Sequence, residues 1–182
     1  KGIRFSFCMD PEDILFGLGE TVRGQNKRGH RYTAWNTDEV SHTEDKQSLY
    51  ASHNLLLVFG PGKLFGVFLD DPGRVTWDLG YTCQDQAVIV SENGDLDLYI
   101  LEGESLTEIA REFRRLTGRS YLPPRWAFGY IQSRWGYASE EEIRQVAAEH
   151  RKRHIPLDGI CMDIDYMEHF RNFTWRKDAF PD

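Results

Sequence analysis

The sequence predicts two folds in succession: an antiparallel β-sandwich over residues 1–103 and, from residue 123, a parallel strand-helix-strand unit of α/β type. Three observations predict this. Short apolar runs alternate with turn sequences throughout the first part of the chain. A proline pair, Pro123-Pro124, then interrupts regular structure. Beyond it, a helical apolar period lies between two nearly continuous apolar runs, the pattern of strands covered on both faces.

Ile3, Phe5 and Phe7 alternate with Arg4 and Ser6, the two-residue period of a strand with one buried face. Further strand-like runs fall at 55–59, 64–69, 87–90 and 96–101. Gly60-Pro61-Gly62, Asp71-Pro72-Gly73 and Glu92-Asn93-Gly94 separate them and carry turn chemistry. Strands this short, between such turns, suit an antiparallel sandwich. Residues 104–122 read as a connecting helix and linker. Ser105 and Glu108 have capping-box spacing, and Leu106, Ile109, Ala110 and Phe113 recur at helical intervals until Gly118. From residue 123 the run at 126–131 reads as a strand. A second capping box at Ser139 and Glu142 opens a helix with Ile143, Val146 and Ala147 on one face, and residues 155–164 read as the next strand.

Composition narrows the function. The chain has 182 residues, 40% hydrophobic and 28% charged, which is the balance of a folded globular protein and not of a disordered one. A net charge of -7, with acidic and basic residues interspersed, argues against nucleic acid or an anionic membrane surface as partner. No apolar run approaches the ~20 residues of a membrane span, and there is no signal-peptide pattern. Cys8, Cys83 and Cys161 lie far apart without metal or disulfide spacing, which fits a reduced, cytoplasmic setting. Trp35, Trp77, Trp126, Trp135 and Trp175 are spread along the chain. Aromatic faces suit sugar rings, although most tryptophans in any fold serve the core.

Two segments concentrate chemistry. Asp163 and Asp165 sit two residues apart where the second apolar strand ends, so on an extended backbone both carboxylates face one way. Carboxyl ends of parallel strands are where ligands bind in barrels and open α/β sheets. At the matching end of the preceding strand, Gln132-Ser133-Arg134-Trp135-Gly136-Tyr137 offers a guanidinium and two aromatic rings. These could wall a sugar pocket, with the guanidinium orienting an acid. The bland alternatives are an aspartate that caps a turn and a hydrophobic lid on the strand. His150 and His154 lack the HEXXH pattern and sit among basic residues at a helix end, which reads as a solvated last turn. Gly17-Leu18-Gly19 is not followed by a phosphate-loop lysine. His42, Glu44 and Asp45 form a polar loop without an assigned role.

Five motifs, in this order, carry a resemblance: Phe16-Gly17-Leu18-Gly19-Glu20, Trp35-Asn36-Thr37-Asp38, Pro123-Pro124-Arg125-Trp126-Ala127-Phe128-Gly129, Ser133-Arg134-Trp135-Gly136-Tyr137 and Asp163-Ile164-Asp165-Tyr166-Met167. Phe173-Thr174 and Phe180-Pro181-Asp182 continue the series. The sequence resembles glycoside hydrolase family 31, the family of α-glucosidases and α-xylosidases. The resemblance implies an amino-terminal β-sandwich followed by a (β/α)8 barrel of TIM type, of which residues 123–182 supply the first strand-helix-strand unit. It also implies retaining hydrolysis of α-linked glucosides or oligosaccharides without metal or cofactor. Retention needs two carboxyl groups about 5 Å apart. In the family both are aspartates on later barrel strands, so the nucleophile and the acid/base are expected beyond Asp182.

Carried over by position, Asp163 matches an aspartate that hydrogen-bonds sugar hydroxyls in subsite -1, and Ile164 an apolar wall of that subsite. Trp135 matches an aromatic position near the same pocket, associated with linkage preference. Asp38 matches an acidic residue on a sandwich loop that reaches over the barrel mouth to contact sugar. Asp165 matches a loop brace. Two other readings compete: a non-catalytic carbohydrate-binding sandwich module, and a Mg-dependent phospho- or glycosyltransferase using Asp163 and Asp165 as a DxD pair. A homo-oligomer of the complete enzyme is left open.

Overall fold

Alternation governs the first part of the chain. In β1 (Ile3–Cys8) and β7 (Gln86–Ser91), every second side chain turns inward. The structure, a computed structural model, describes residues 2–181. Lys1 and Asp182, which ends the Phe180-Pro181-Asp182 segment, lie outside the described residues. The chain divides into two units, residues 1–119 and 120–182.

The first unit contains two four-stranded antiparallel sheets. One runs β1-β7-β6-β3, with β3 at His30–Ala34 and β6 at Val75–Leu79. The other runs β2-β4-β5-β8, formed by Ile14–Gly19, Ser52–Gly60, Lys63–Leu69 and Leu98–Glu102. Leu15, Leu56, Val58, Val67 and Leu69 from the second sheet share one core with Tyr32, Val75, Trp77, Leu79 and Ile89 from the first. Trp77 is fully buried, and its indole N–H donates to Asn54 Oδ1 on β4 at 3.2 Å, so the ring's one polar group is satisfied across the sandwich. The antiparallel sandwich expected from the turn spacing is therefore present. The run at 96–101 becomes a strand two residues later than its apolar pattern suggests.

Helix α1 (Leu106–Thr117) belongs to this unit instead of standing as a connector. Ile109 is completely buried, and Phe113 meets Phe68 of β5 edge-on with centroids 5.0 Å apart. The Ser105 hydroxyl accepts the Glu108 amide at 3.2 Å, as a capping residue should. Glu108 reaches back to the amide of Glu104 at 2.8 Å, one residue beyond the usual partner. Close approach of the helix depends on Gly66 in β5: a Cβ there would meet Ile109 Cγ2 at 2.9 Å.

The second unit holds two short parallel strands, β9 (Ile131–Ser133) and β10 (Gly159–Cys161), joined through α2 (Glu140–Lys152). The Ser139 hydroxyl caps α2 by accepting the Glu142 amide at 3.2 Å. Glu140, Glu141 and Glu142 occupy the first turn and His150, Arg151 and Lys152 the last, matching both ends of the helix dipole. The parallel strand-helix-strand unit is as expected, but its strands are shorter than the apolar runs. The first half of the 126–131 run lies in a 3₁₀ turn, Arg125–Phe128, closed by Ala127 N–H to the Pro124 carbonyl at 3.0 Å. Continuous apolarity alone does not distinguish a strand from a helical turn. Pro124, extended at φ -62° and ψ 156°, leads the chain into this turn.

Candidate functional site

Register brings two strand ends together. Cys161 of β10 pairs with Ser133 of β9, so Asp163-Ile164 and Arg134-Trp135 leave the same end of the parallel pair. Gly136 then turns the chain at φ +96°, a conformation that favours glycine. Trp135 is left 72% exposed on one side of this turn while Tyr137 is buried on the other. Arg134 folds over the Tyr137 ring, 5.6 Å from its centroid, and its Nε donates to the Trp135 carbonyl at 3.2 Å. The guanidinium thus braces its own loop, and among the described residues it pairs with no acid.

Asp163 and Asp165 do not face one way. The strand stops at Cys161 and the backbone bends at Ile164, with Met167 N–H closing onto the Ile164 carbonyl at 3.1 Å. Asp163 consequently stands exposed, while Asp165 is half-buried and its Oδ2 has no hydrogen-bond partner. Side-chain alternation does not carry through to Asp165 because β10 ends four residues earlier, at Cys161. Ile164 is also exposed and lies beside Asp163. Among the described residues no protein donor reaches the Asp163 carboxylate, so both of its oxygens are free to accept.

The bend after β10 is held from outside. Arg176 donates its amide to the Tyr166 carbonyl at 2.8 Å and its guanidinium to the Ala138 carbonyl just before α2. Tyr166 packs on Trp175 with centroids 4.9 Å apart, and Trp175 approaches the buried Phe180 at 6.3 Å. This aromatic chain gives the Asp163 bend a rigid support.

Asp38 lies in the other unit, on the loop between β3 and β4, and is exposed. Thr37 N–H donates to the Leu49 carbonyl at 2.8 Å, and Asn36 Oδ1 accepts Ser52 N–H at 2.9 Å, closing the base of the loop. Glu39 is its centre. Lys46 Nζ donates to Glu39 Oε2 at 2.6 Å and Ser41 N–H to Oε1 at 2.9 Å. The Lys46 ammonium, with the Ser41 amide, holds the Glu39 carboxyl below the ordinary carboxylate range. The Glu39 carbonyl meets the Tyr50 hydroxyl and, at 3.0 Å, His42 Nε2. From the sandwich, Arg23 donates through Nε to the Glu44 carbonyl at 2.6 Å and through Nη1 to the Arg31 carbonyl at 3.0 Å. Sequence reasoning singled out Asp38 but missed Arg23, Glu39, Lys46 and Tyr50. Their roles depend on loop closure, which no local spacing encodes.

No group of three or more His, Cys, Asp or Glu side chains converges as a metal site among the described residues. His150 Nδ1 lies 2.8 Å from the Val146 carbonyl, and its ring stacks on Tyr130 at 6.2 Å, which is a packing role.

Comparison with known proteins accounts for both units. Residues 1–78 match the family model described as the glycosyl hydrolase 31 N-terminal galactose mutarotase-like domain, and residues 120–182 match the glycosyl hydrolases family 31 TIM-barrel domain. The chain belongs to glycoside hydrolase family 31. Within the family it is 36% identical over 190 residues to α-glucosidase 2 of Bacillus thermoamyloliquefaciens, covering 100% of this chain and 24% of that protein. It is 31% identical to the lysosomal α-glucosidase of Rattus norvegicus over 175 residues, 94% of this chain and 18% of the relative. The solved GH31 dextranase of Flavobacterium johnsoniae, complexed with isomaltotriose, superposes with a TM-score of 0.89 at 32% identity, over 98% of this chain and 22% of the dextranase. The chain therefore spans between 18% and 24% of the length of these family members.

Proposed function

We propose that this chain supplies part of the substrate-binding wall of a retaining α-glucosidase-type hydrolase acting on α-linked gluco-oligosaccharides. One observation carries the reading. The paired ends of two parallel strands present an unengaged carboxylate, Asp163, beside an exposed aliphatic side chain, Ile164, and an exposed aromatic, Trp135. A carboxylate that accepts from two sugar hydroxyls makes charge-assisted bonds, roughly twice as strong as neutral ones. An indole face and an isoleucine shield the apolar face of the same ring. In this reading Asp38 contributes a further sugar contact from the sandwich loop. Bond cleavage falls to two carboxyl groups outside residues 1–182, with no metal or cofactor required. The chain alone is then inactive. The identity to α-glucosidases and the likeness to a dextranase support the substrate class. A cytoplasmic setting is proposed on the three free, exposed cysteines.

The test is Asp163→Asn in the complete enzyme. This substitution keeps the shape but removes the negative charge and replaces one acceptor oxygen with an NH₂ donor. We expect kcat/KM on an α-glucoside to fall on the order of 10²-fold, the scale of a ring misplaced by about 1 Å. Unchanged kcat/KM would remove Asp163 from the site.

A further inference from the structure

We propose that Glu39 and Lys46 form a positioning device for Asp38, so that Lys46 sets the affinity for sugar without touching it; the inference rests on the proposed sugar contact of Asp38. The loop of residues 35–51 joins β3 to β4 with no regular structure of its own. It exceeds the about 15 residues at which an unstructured connection in a compact domain becomes uncommon, and loops of that length are usually functional or disordered. This loop is cross-linked. Glu39, the residue next to Asp38, uses its carboxylate and its carbonyl together. The carboxylate holds Lys46 Nζ at 2.6 Å and Ser41 N–H at 2.9 Å, and the carbonyl meets the Tyr50 hydroxyl and His42 Nε2. The His42 and Tyr50 rings pack edge to face at 5.9 Å. Four residues, Ser41, His42, Lys46 and Tyr50, thus converge on the residue that follows Asp38 in the chain.

Arg23 ties the far side of the loop to β3 through the Glu44 and Arg31 carbonyls. The arrangement leaves Asp38 exposed and Val40 almost wholly so, while the groups beneath them are engaged. Such a network adds little to global stability, because its ion pair is only partly shielded, with side-chain exposures of 33% and 20%. Its effect is geometric. Without Lys46 the Glu39 carboxylate loses its strongest partner, and the Asp38 backbone gains freedom that must be given up when sugar binds.

The experiment is a double-mutant cycle in the complete enzyme with Lys46→Met and Asp38→Ala, with maltose as substrate and kcat, KM and Tm measured separately. Lys46→Met is expected to raise KM on the order of tenfold, with kcat within about twofold and Tm unchanged. Lys46→Arg, which keeps the ion pair, is expected to restore most of the affinity. In the Asp38→Ala background Lys46→Met should have no further effect, because the group it positions is gone. An equal loss in both backgrounds, an unchanged KM, or a KM loss that follows a fall in Tm and is not restored by arginine would overturn the inference. The Asp38→Ala single variant reports separately on the underlying reading. If it leaves KM unchanged, Asp38 has no sugar contact; if it raises KM while Lys46→Met does not, only the positioning role falls.

Discussion

Asp163 stands out in the sequence because it ends an apolar run, and the structure places it at that strand end, free to accept. The split between Asp163 and Asp165 was hidden, since it depends on where β10 stops. Lys27 gives no signal of its position either. It is buried, donates to the Gly24 carbonyl at 3.1 Å, lies 5.7 Å from the centre of the Tyr32 ring, and has its ammonium pKa lowered by burial. Asp78 is the residue whose environment has the clearest consequence. Burial alone would raise its pKa, but the Thr82 hydroxyl and amide, Arg31 and the Tyr81 amide outweigh it and hold the carboxyl below its ordinary value. A carboxyl with a lower pKa in the folded chain stabilises the fold above its unfolded value of about 3.9, and that contribution is lost as pH falls through it toward the folded value. Urea midpoints of wild type and Asp78→Asn, measured from pH 6 down to pH 3, should therefore converge with acidification. A constant gap would show that the fold does not hold Asp78 ionised.

Elements were legible where a cap or an alternation marks them. Ser105 and Ser139 open their helices as their spacing implies, because a hydroxyl that satisfies an amide at a helix start is a local event. Strand lengths in the second unit were not legible, since a continuous apolar run contains no period to mark its ends. Nor does sequence reveal that α1 docks on the sandwich, which depends on a missing side chain. Gly66 lies beneath the helix, with room for no Cβ beside Ile109 or Leu101, the latter 3.2 Å away. Gly66→Ala should cost about 1–3 kcal/mol, the range for overpacking a filled core. In an Ile109→Ala background, which removes the Cγ2 that the new methyl meets, Gly66→Ala should cost less than it does in the wild type. Strictly additive losses in urea denaturation would contradict the steric account.

Across the molecule, the fold class was readable because its two units obey different periods. Retaining cleavage needs two carboxyl groups about 5 Å apart, whereas Asp38 and Asp163, the two carboxylates proposed to bind sugar, belong to different units. The purified 182-residue chain is accordingly expected to leave p-nitrophenyl α-glucoside intact. Release of nitrophenol above the rate in buffer, abolished by denaturing the chain, would refute that expectation. The indole of Trp77, sealed between the sheets with its N–H on Asn54, has one more consequence, an optical one. Trp135, by contrast, stands open to solvent. Emission from Trp77 is shielded from a collisional quencher such as acrylamide for as long as the sandwich stays closed, while emission from Trp135 is not. The protein therefore carries its own fluorophore for the integrity of one unit and another at the proposed binding face of the other.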